Sequence, residues 1–320
     1  MHNTQPQSII TVPHRFIGSL LGLAIGDAVG TTLEFSRPGS FKPVTDMTGG
    51  GPFHLQPGQW TDDTSMALCL TESLIERQGF DPEDQMRRYV SWYTRGTMSC
   101  TGGCFDIGYT TRTALHAFQQ TGNPFSGKTD PHSAGNGSIM RLAPVPLAFH
   151  PVPGQAVFLS GESSRTTHGT PECVDACRYL GALIVGALLG NSKENLLKEC
   201  FEPEAGIWKK HPLVPAIHAV AQGSFRHKQP PQIQGTGYVV QSLEAALWAF
   251  YHSQNFEEGL LKAVNLGDDA DTTGAVYGQI AGAFYGIDGI PQRWRTKVAW
   301  NTQITQMANK LYELSGNYSF

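Results

Sequence analysis

Two short segments carry more carboxylates and hydroxyls than helix capping needs. Trp60-Thr61-Asp62-Asp63-Thr64 stands just ahead of one apolar run, and Gly267-Asp268-Asp269-Ala270-Asp271-Thr272-Thr273 stands ahead of another. The first alone reads as an ordinary N-cap, in which Asp and Thr oxygens take up free N–H groups at the positive end of a helix. The second is harder to read that way. Asp268, Asp269 and Asp271 crowd into four positions and repel one another unless something neutralises them. Together the two segments form a hard-oxygen ligand set of the kind that holds Mg²⁺ or Mn²⁺, and two such ions would balance the charge. The helix dipole opposes a cation at an N-terminus, so several carboxylates are needed to outweigh it.

Three further segments carry potential chemistry. His132-Ser133-Ala134-Gly135-Asn136-Gly137-Ser138-Ile139-Met140-Arg141 contains a G-N-G-S run whose backbone N–H groups can form an anion-binding nest. An ordinary glycine turn explains the same run. Thr167-His168-Gly169 precedes Pro171 at a helix start, where His168 can donate to a phosphate. A lone histidine is more often structural. In Thr101-Gly102-Gly103-Cys104-Phe105-Asp106-Ile107-Gly108, the plain role for Asp106 is a helix cap.

These segments need helices to hold them. The apolar periodicity predicts helices over 15–29, 63–78, 83–95, 106–120, 171–190, 192–200, 213–223, 238–253, 256–265 and 292–314. Within 63–78, Met66, Leu70 and Leu74 form an apolar stripe, and Pro171 suits the first turn of its helix. Gly18, Gly22, Gly26 and Gly30 recur at four-residue spacing, and Gly274, Gly278, Gly282 and Gly286 repeat the pattern. Glycine costs about 1 kcal/mol per helical position relative to alanine, so such rows imply close approach of another backbone. Period-two strands are scarce. The expected fold is all-α: one compact helical domain over residues 15–320, preceded by a loose arm at 1–14. Long glycine- and proline-rich loops are expected at 36–60, 96–104, 121–138 and 226–237, and loops of that length are often functional.

Composition narrows the function classes. The 320 residues are 40% hydrophobic and 16% charged, with 36 glycines, which describes a globular chain. A net charge of −4 argues against nucleic acid as the main partner. The apolar runs at 17–26 and 180–190 are too short to span a bilayer, which needs about 20 residues. No membrane partner and a cytoplasmic location are therefore expected. Cys100/Cys104 and Cys173/Cys177 are each spaced by four, but zinc sites favour tighter spacings. Reduced, buried thiols are the plainer reading.

The strings GLAIGDAVGTTLEF, WTDDTSM, TGGCFDIG, SAGNGSIMRLAPVP, THGTPECVDAC, GTGYVVQSLEAALWAF and GDDADTTGAVYGQIAGAFYG occur in this order. In that order they resemble the ADP-ribosylglycohydrolase family, and within it the bacterial ADP-ribosyl-dinitrogen-reductase hydrolase branch. The resemblance runs from about residue 15 to about residue 290. It implies an all-α, orthogonal helical bundle with a binuclear Mg²⁺ or Mn²⁺ cleft. It implies metal ligation by Thr61, Asp62 and Asp63 and by Asp269, Asp271 and Thr272, with Asp268 outside the ligand pattern. Glu34 and Asp106 resemble the acidic residues beside the distal ribose. Asn136, Gly137, Ser138 and Met140 resemble the pyrophosphate and ribose loop, His168 a phosphate-side histidine and Tyr238 an aromatic residue against adenine.

The activity so implied is metal-dependent hydrolysis of the N-glycosidic bond between ADP-ribose and a protein arginine, with ADP-ribose as product. Asp62, Asp63 and Asp106 would be its catalytic carboxylates. Three alternatives share the motifs. One is the same fold acting on another linkage, to serine, a nucleic-acid end or a free metabolite. Another is a non-catalytic ADP-ribose-binding module. The last is an immunity protein that blocks a toxin ADP-ribosyltransferase through residues 1–14.

Overall fold

A computed structural model describes residues 10–318. The chain runs through α1 (Val12–Gly30), α2 (Asp62–Arg77), α3 (Pro82–Arg95) and α4 (Tyr109–Thr121). It continues through α5 (Pro144–Phe149), α6 (Pro153–Arg165), α7 (Pro171–Leu188), α8 (Lys193–Leu196), α9 (Ile207–Lys210) and α10 (Pro215–Ala221). The last third holds α11 (Val239–Tyr251), α12 (Phe256–Val264), α13 (Ala270–Tyr285), α14 (Gln292–Lys297) and α15 (Asn301–Gly316). Among the described residues the only β pairing is in isolated bridges, including Ser36 with Asp268 and Gly135 with Tyr238. The expected all-α architecture is the observed one.

The glycine rows explain the centre of the molecule. α1 and α13 pack antiparallel, glycine against glycine. A Cβ on Gly22 would lie 2.3 Å from the Gly278 carbonyl oxygen, and one on Gly26 would lie 2.1 Å from that of Gly274. Both are far inside van der Waals contact, so only hydrogen fits. α1 is long and apolar enough to cross a membrane, but nearly all of it is buried inside this fold. Around the pair, α2, α7, α11, α12 and α15 pack their apolar stripes into one core that includes Phe16, Leu70, Leu183, Leu243, Leu260 and Leu311.

Several predicted boundaries shift for physical reasons. The helix expected from 106 starts at Tyr109, because Asp106 adopts a left-handed φ of 55° and Gly108 takes the N-cap position. Asp106 is therefore no cap. The helix expected over 192–200 shrinks to Lys193–Leu196, and Cys200 has a left-handed φ of 48°. The helix expected over 292–314 breaks between α14 and α15, where the Ala299 amide leaves the helix to donate to Gly58 O at 2.8 Å. The break turns Trp300 edge-on to Trp60, with ring centroids 5.5 Å apart. α5 and α6 went unpredicted, although Pro144 and Pro153 mark their first turns. Of the expected arm, Val12–His14 form the first turn of α1 and residues 1–9 lie outside the described residues.

Candidate metal centre and substrate cleft

The site forms where the C-terminal half of α1 meets the N-termini of α2 and α13. Asp27, on α1, is wholly buried. Its Oδ1 accepts from the Thr61 amide at 2.8 Å, and its Oδ2 accepts from the Thr64 amide at 3.1 Å and the Thr64 hydroxyl at 2.6 Å. Asp27 thus caps α2 from another helix, and Thr61 makes no cap of its own. Glu34 does the same for α13, its Oε2 accepting from the Ala270 amide at 3.0 Å. With these amides served from outside, only Asp271 in the two acidic segments accepts a helix amide through its side chain, that of Thr272 at 2.7 Å.

Those carboxylates converge. Oxygens of Asp27, Asp63 and Asp271 lie within 4.8 Å of one another, and so do oxygens of Glu34, Asp269 and Asp271. Asp271 belongs to both triplets. The Thr61 hydroxyl lies 3.0 Å from Asp27 Oδ1, 3.0 Å from Asp63 Oδ2 and 3.3 Å from Asp271 Oδ2. It has one proton to give, so two of those contacts are oxygen against oxygen with nothing between them. Asp63 Oδ1 is buried with no hydrogen-bond partner. A buried unpaired carboxylate oxygen is costly, and a divalent cation is the group that would satisfy it. The all-oxygen donor set suits a hard cation. Burial, reinforced by neighbouring carboxylates, pushes the pKa values of Glu34, Asp62, Asp63 and Asp271 well above the usual range. Burial alone outweighs four hydrogen bonds to raise Asp27 to about 6.

Asp62 and Asp63 point to different places. Asp62 lines a cavity of about 360 Å³, together with Glu34, Asp106, Asp269, Asp271 and Thr272. Asp63 and Thr61 are not in that lining and sit beneath it, fully buried. Asp62 is in neither triplet. Of the adjacent aspartates, Asp62 is the one in contact with whatever enters the cavity. Asp106 shares the lining, and burial with nearby carboxylates raises it to about 7.

The glycine loop forms the remaining wall. Gly135, Asn136, Gly137, Met140 and His168 line the cavity. Asn136 Nδ2 donates to Asp269 Oδ2 at 3.0 Å and so orients one carboxylate of the second triplet. Ser138 is brought to the same loop but faces inward, where its hydroxyl accepts from Ser164 at 2.9 Å. Tyr238 is 42% exposed and outside the lining, although its backbone bridges Gly135 and its neighbour Gly237 lines the cavity.

His168 is buried, and its protonation state can be assigned from its neighbours. Arg141 Nη2 donates to Thr167 Oγ1 at 2.6 Å, and Thr167 Oγ1 and His168 Nδ1 are hydrogen-bonded at 2.8 Å. Burial, aided by the Arg141 charge, lowers the imidazole pKa to about 3. His168 is therefore a neutral imidazole on the cavity wall, next to the Gly135–Gly137 backbone. Arg141 is itself wholly buried, donates to the Gly137 carbonyl at 2.9 Å, and lies 4.6 Å from the Tyr89 ring centroid.

Sequence reasoning missed Asp27 and Arg141. The signal for Asp27 was present: it is the one charged side chain in the apolar stretch from residue 16 to residue 33, and a carboxylate there needs partners. The six cysteines are free thiols, and among the described residues no clustered ligand group contains one. Cys100 donates to the Trp60 carbonyl at 3.2 Å, tying the TGGC loop to the acidic segment.

The fold is all-α, its two carboxylate triplets could hold metal ions, and residues 9–319 match the ADP-ribosylglycohydrolase family model. The chain belongs to that family. It is 44% identical to the ADP-ribosylarginine hydrolase Tri1 of Pseudomonas putida (strain GB-1), over 92% of this chain and 77% of that one. It is 33% identical to the ADP-ribosyl-[dinitrogen reductase] glycohydrolase of Rhodospirillum rubrum, over 96% of this chain and 98% of that one. A solved structure described as an ADP-ribosylglycohydrolase-related protein complex superposes with a TM-score of 0.84 at 45% identity, covering 95% of this chain and 99% of its own.

Proposed function

We propose that this protein hydrolyses the N-glycosidic bond between mono-ADP-ribose and a protein arginine, with two Mg²⁺ or Mn²⁺ ions held by Asp27, Asp63 and Asp271 and by Glu34, Asp269 and Asp271. The observation that carries the reading is the placement of Asp62 on the cavity wall, in neither triplet, beside both. Its similarity to Tri1 relatives named as ADP-ribosylarginine hydrolases supports the linkage.

A divalent pair would supply positive charge beside the ribose and polarise water near neutral pH. The chain does the rest. The neutral His168 imidazole and the Gly135–Gly137 backbone face the cavity as partners for phosphate oxygens. Asn136 fixes Asp269, and the Asp106 carboxylate is placed to accept from a sugar hydroxyl. Asp62 takes the proton from the water that adds to the anomeric carbon. The carbon–nitrogen bond breaks, and the proton taken up by Asp62 passes to the guanidine nitrogen as it leaves. Positioning and preorganised charge supply most of the rate.

The test is incubation with an arginine-ADP-ribosylated protein in Mg²⁺, Mn²⁺ or EDTA, following free ADP-ribose. Release that needs the metal is expected. Absence of release with metal bound, together with release from a serine-linked substrate, would overturn the arginine assignment.

A further inference from the structure

Beside the carboxylates, the mouth of the cavity carries aromatic side chains that no step above uses. Phe35 lines the cavity yet is 67% exposed. Its ring meets Phe53 edge-on at 6.3 Å between centroids, and Phe53 meets Phe105 at 5.3 Å. Phe35 directly follows Glu34, and Phe105 directly precedes Asp106, so this row shares its backbone with two carboxylates of the cavity.

The backbone holds Phe35 outward. Its φ is 58°, a conformation that bulky side chains rarely adopt. It is held by two bonds to the second acidic segment: the Phe35 amide donates to Asp268 O at 2.7 Å and the Asp268 amide donates to Ser36 O at 2.8 Å. A large apolar ring kept in water by an unfavourable backbone conformation gains nothing for the fold. Such conformations cluster where a ligand is gripped.

We propose that Phe35, backed by Phe53 and Phe105, is the subsite for the arginine side chain that leaves, stacking on its guanidinium group. The inference rests on the arginine reading above and names the residues that would recognise that group. The guanidinium is planar, cationic and weakly hydrated, and it stacks on aromatic faces better than an ammonium does. Asp62 and Asp106 lie outside both triplets and line the same cavity as Phe35, as acceptors for guanidinium N–H groups. A serine hydroxyl would gain nothing from the aromatic face. The aromatic row is thus continuous with the cavity, sharing its backbone with Glu34 and Asp106.

The experiment compares Phe35→Leu, which keeps apolar bulk and removes the π face, with Phe35→Tyr, which keeps it. Calorimetry reads the Kd of free ADP-ribose, and steady-state kinetics read hydrolysis of an ADP-ribosyl-arginine peptide. For Phe35→Leu, KM for the peptide is expected to rise about threefold to tenfold while Kd for ADP-ribose stays within about twofold. Phe35→Tyr should restore the KM. An unchanged KM in Phe35→Leu, or an equal loss of ADP-ribose affinity, would overturn the subsite. A wild-type protein that binds the peptide without cleaving it would sink the arginine reading instead. The subsite would then still be read from peptide Kd against ADP-ribose Kd in the same variants.

Discussion

Asp27 Oδ1 accepts the Thr61 backbone amide at 2.8 Å across 34 positions of sequence, so the residue that opens the first acidic segment is held by a carboxylate from the central helix. Asp27→Ala removes four hydrogen bonds and leaves buried donors on Thr61 and Thr64 unpaired, at about 1–3 kcal/mol for each unpaired group. A fall in melting temperature and at least a tenfold loss of Mn²⁺ affinity are expected. Calorimetric titration with Mn²⁺ checks the second, and wild-type affinity would remove Asp27 from the ligand set.

The adjacent aspartates should separate. Asp62→Asn is expected to keep Mn²⁺ bound while turnover falls about 10²–10⁴-fold, the usual contribution of a general base. Asp63→Asn is expected to lose metal affinity first, because Asp63 belongs to the first triplet and its buried Oδ1 has no other partner. Parallel metal titrations and single-turnover assays on the two variants decide this. Equal loss of metal in both would show that Asp62 is a ligand and not the base.

Replacing Gly22 or Gly278 by alanine drives a methyl group into main chain on the facing helix, at 2.3 and 2.0 Å from carbonyl oxygens. Backbone cannot step aside as a side chain can, so a cost of about 3 kcal/mol or more is expected. Gly103→Ala is the control, since nothing lies within 4 Å of the added carbon. Urea unfolding of the three variants measures the difference, and equal midpoints would contradict the close packing.

His168 makes stability depend on pH. Its folded pKa, about 3, lies below its ordinary value of 6.5, so the unfolded chain binds the extra proton between those limits. Stability from the neutral ring is complete above pH 6.5 and is lost as pH falls toward 3, at up to about 1.4 kcal/mol per pH unit. The difference in unfolding free energy between wild type and His168→Gln isolates the imidazole from the carboxylates. That difference should shift in favour of the variant as pH drops from 7 to 5, by about 2 kcal/mol; a difference independent of pH would mean the ring is charged or exposed. Nitrogen NMR should find the ring neutral across that range.

Much of this was legible in the residues because it depends on local pattern. The glycine rows foretold backbone contact between two helices, and the doubled aspartates pointed to carboxylates gathered into a hard-oxygen set, as the two triplets are. Asp106 was read as a cap because spacing alone cannot show a left-handed residue three positions ahead of a helix. Asp27 was overlooked for a related reason. Its partners are distant in sequence, and nothing local distinguishes a capping carboxylate from a ligand. Ser138 and Tyr238 show the converse: the loop that carries them was recognised, but the direction of a side chain is a property of packing.

Asp27 on α1 and Asp271 on α13 sit on helices whose separation is set by main chain pressed against main chain. No side-chain volume enters that spacing. Substitutions in the surrounding core can therefore drift in size over a lineage, costing or adding stability, while the gap between Asp27 and Asp271 stays where it was. Heritable variation in this architecture should collect in the surrounding core and the long loops, because the ruler that sets the carboxylate spacing has no side chains to mutate except by ceasing to be glycine.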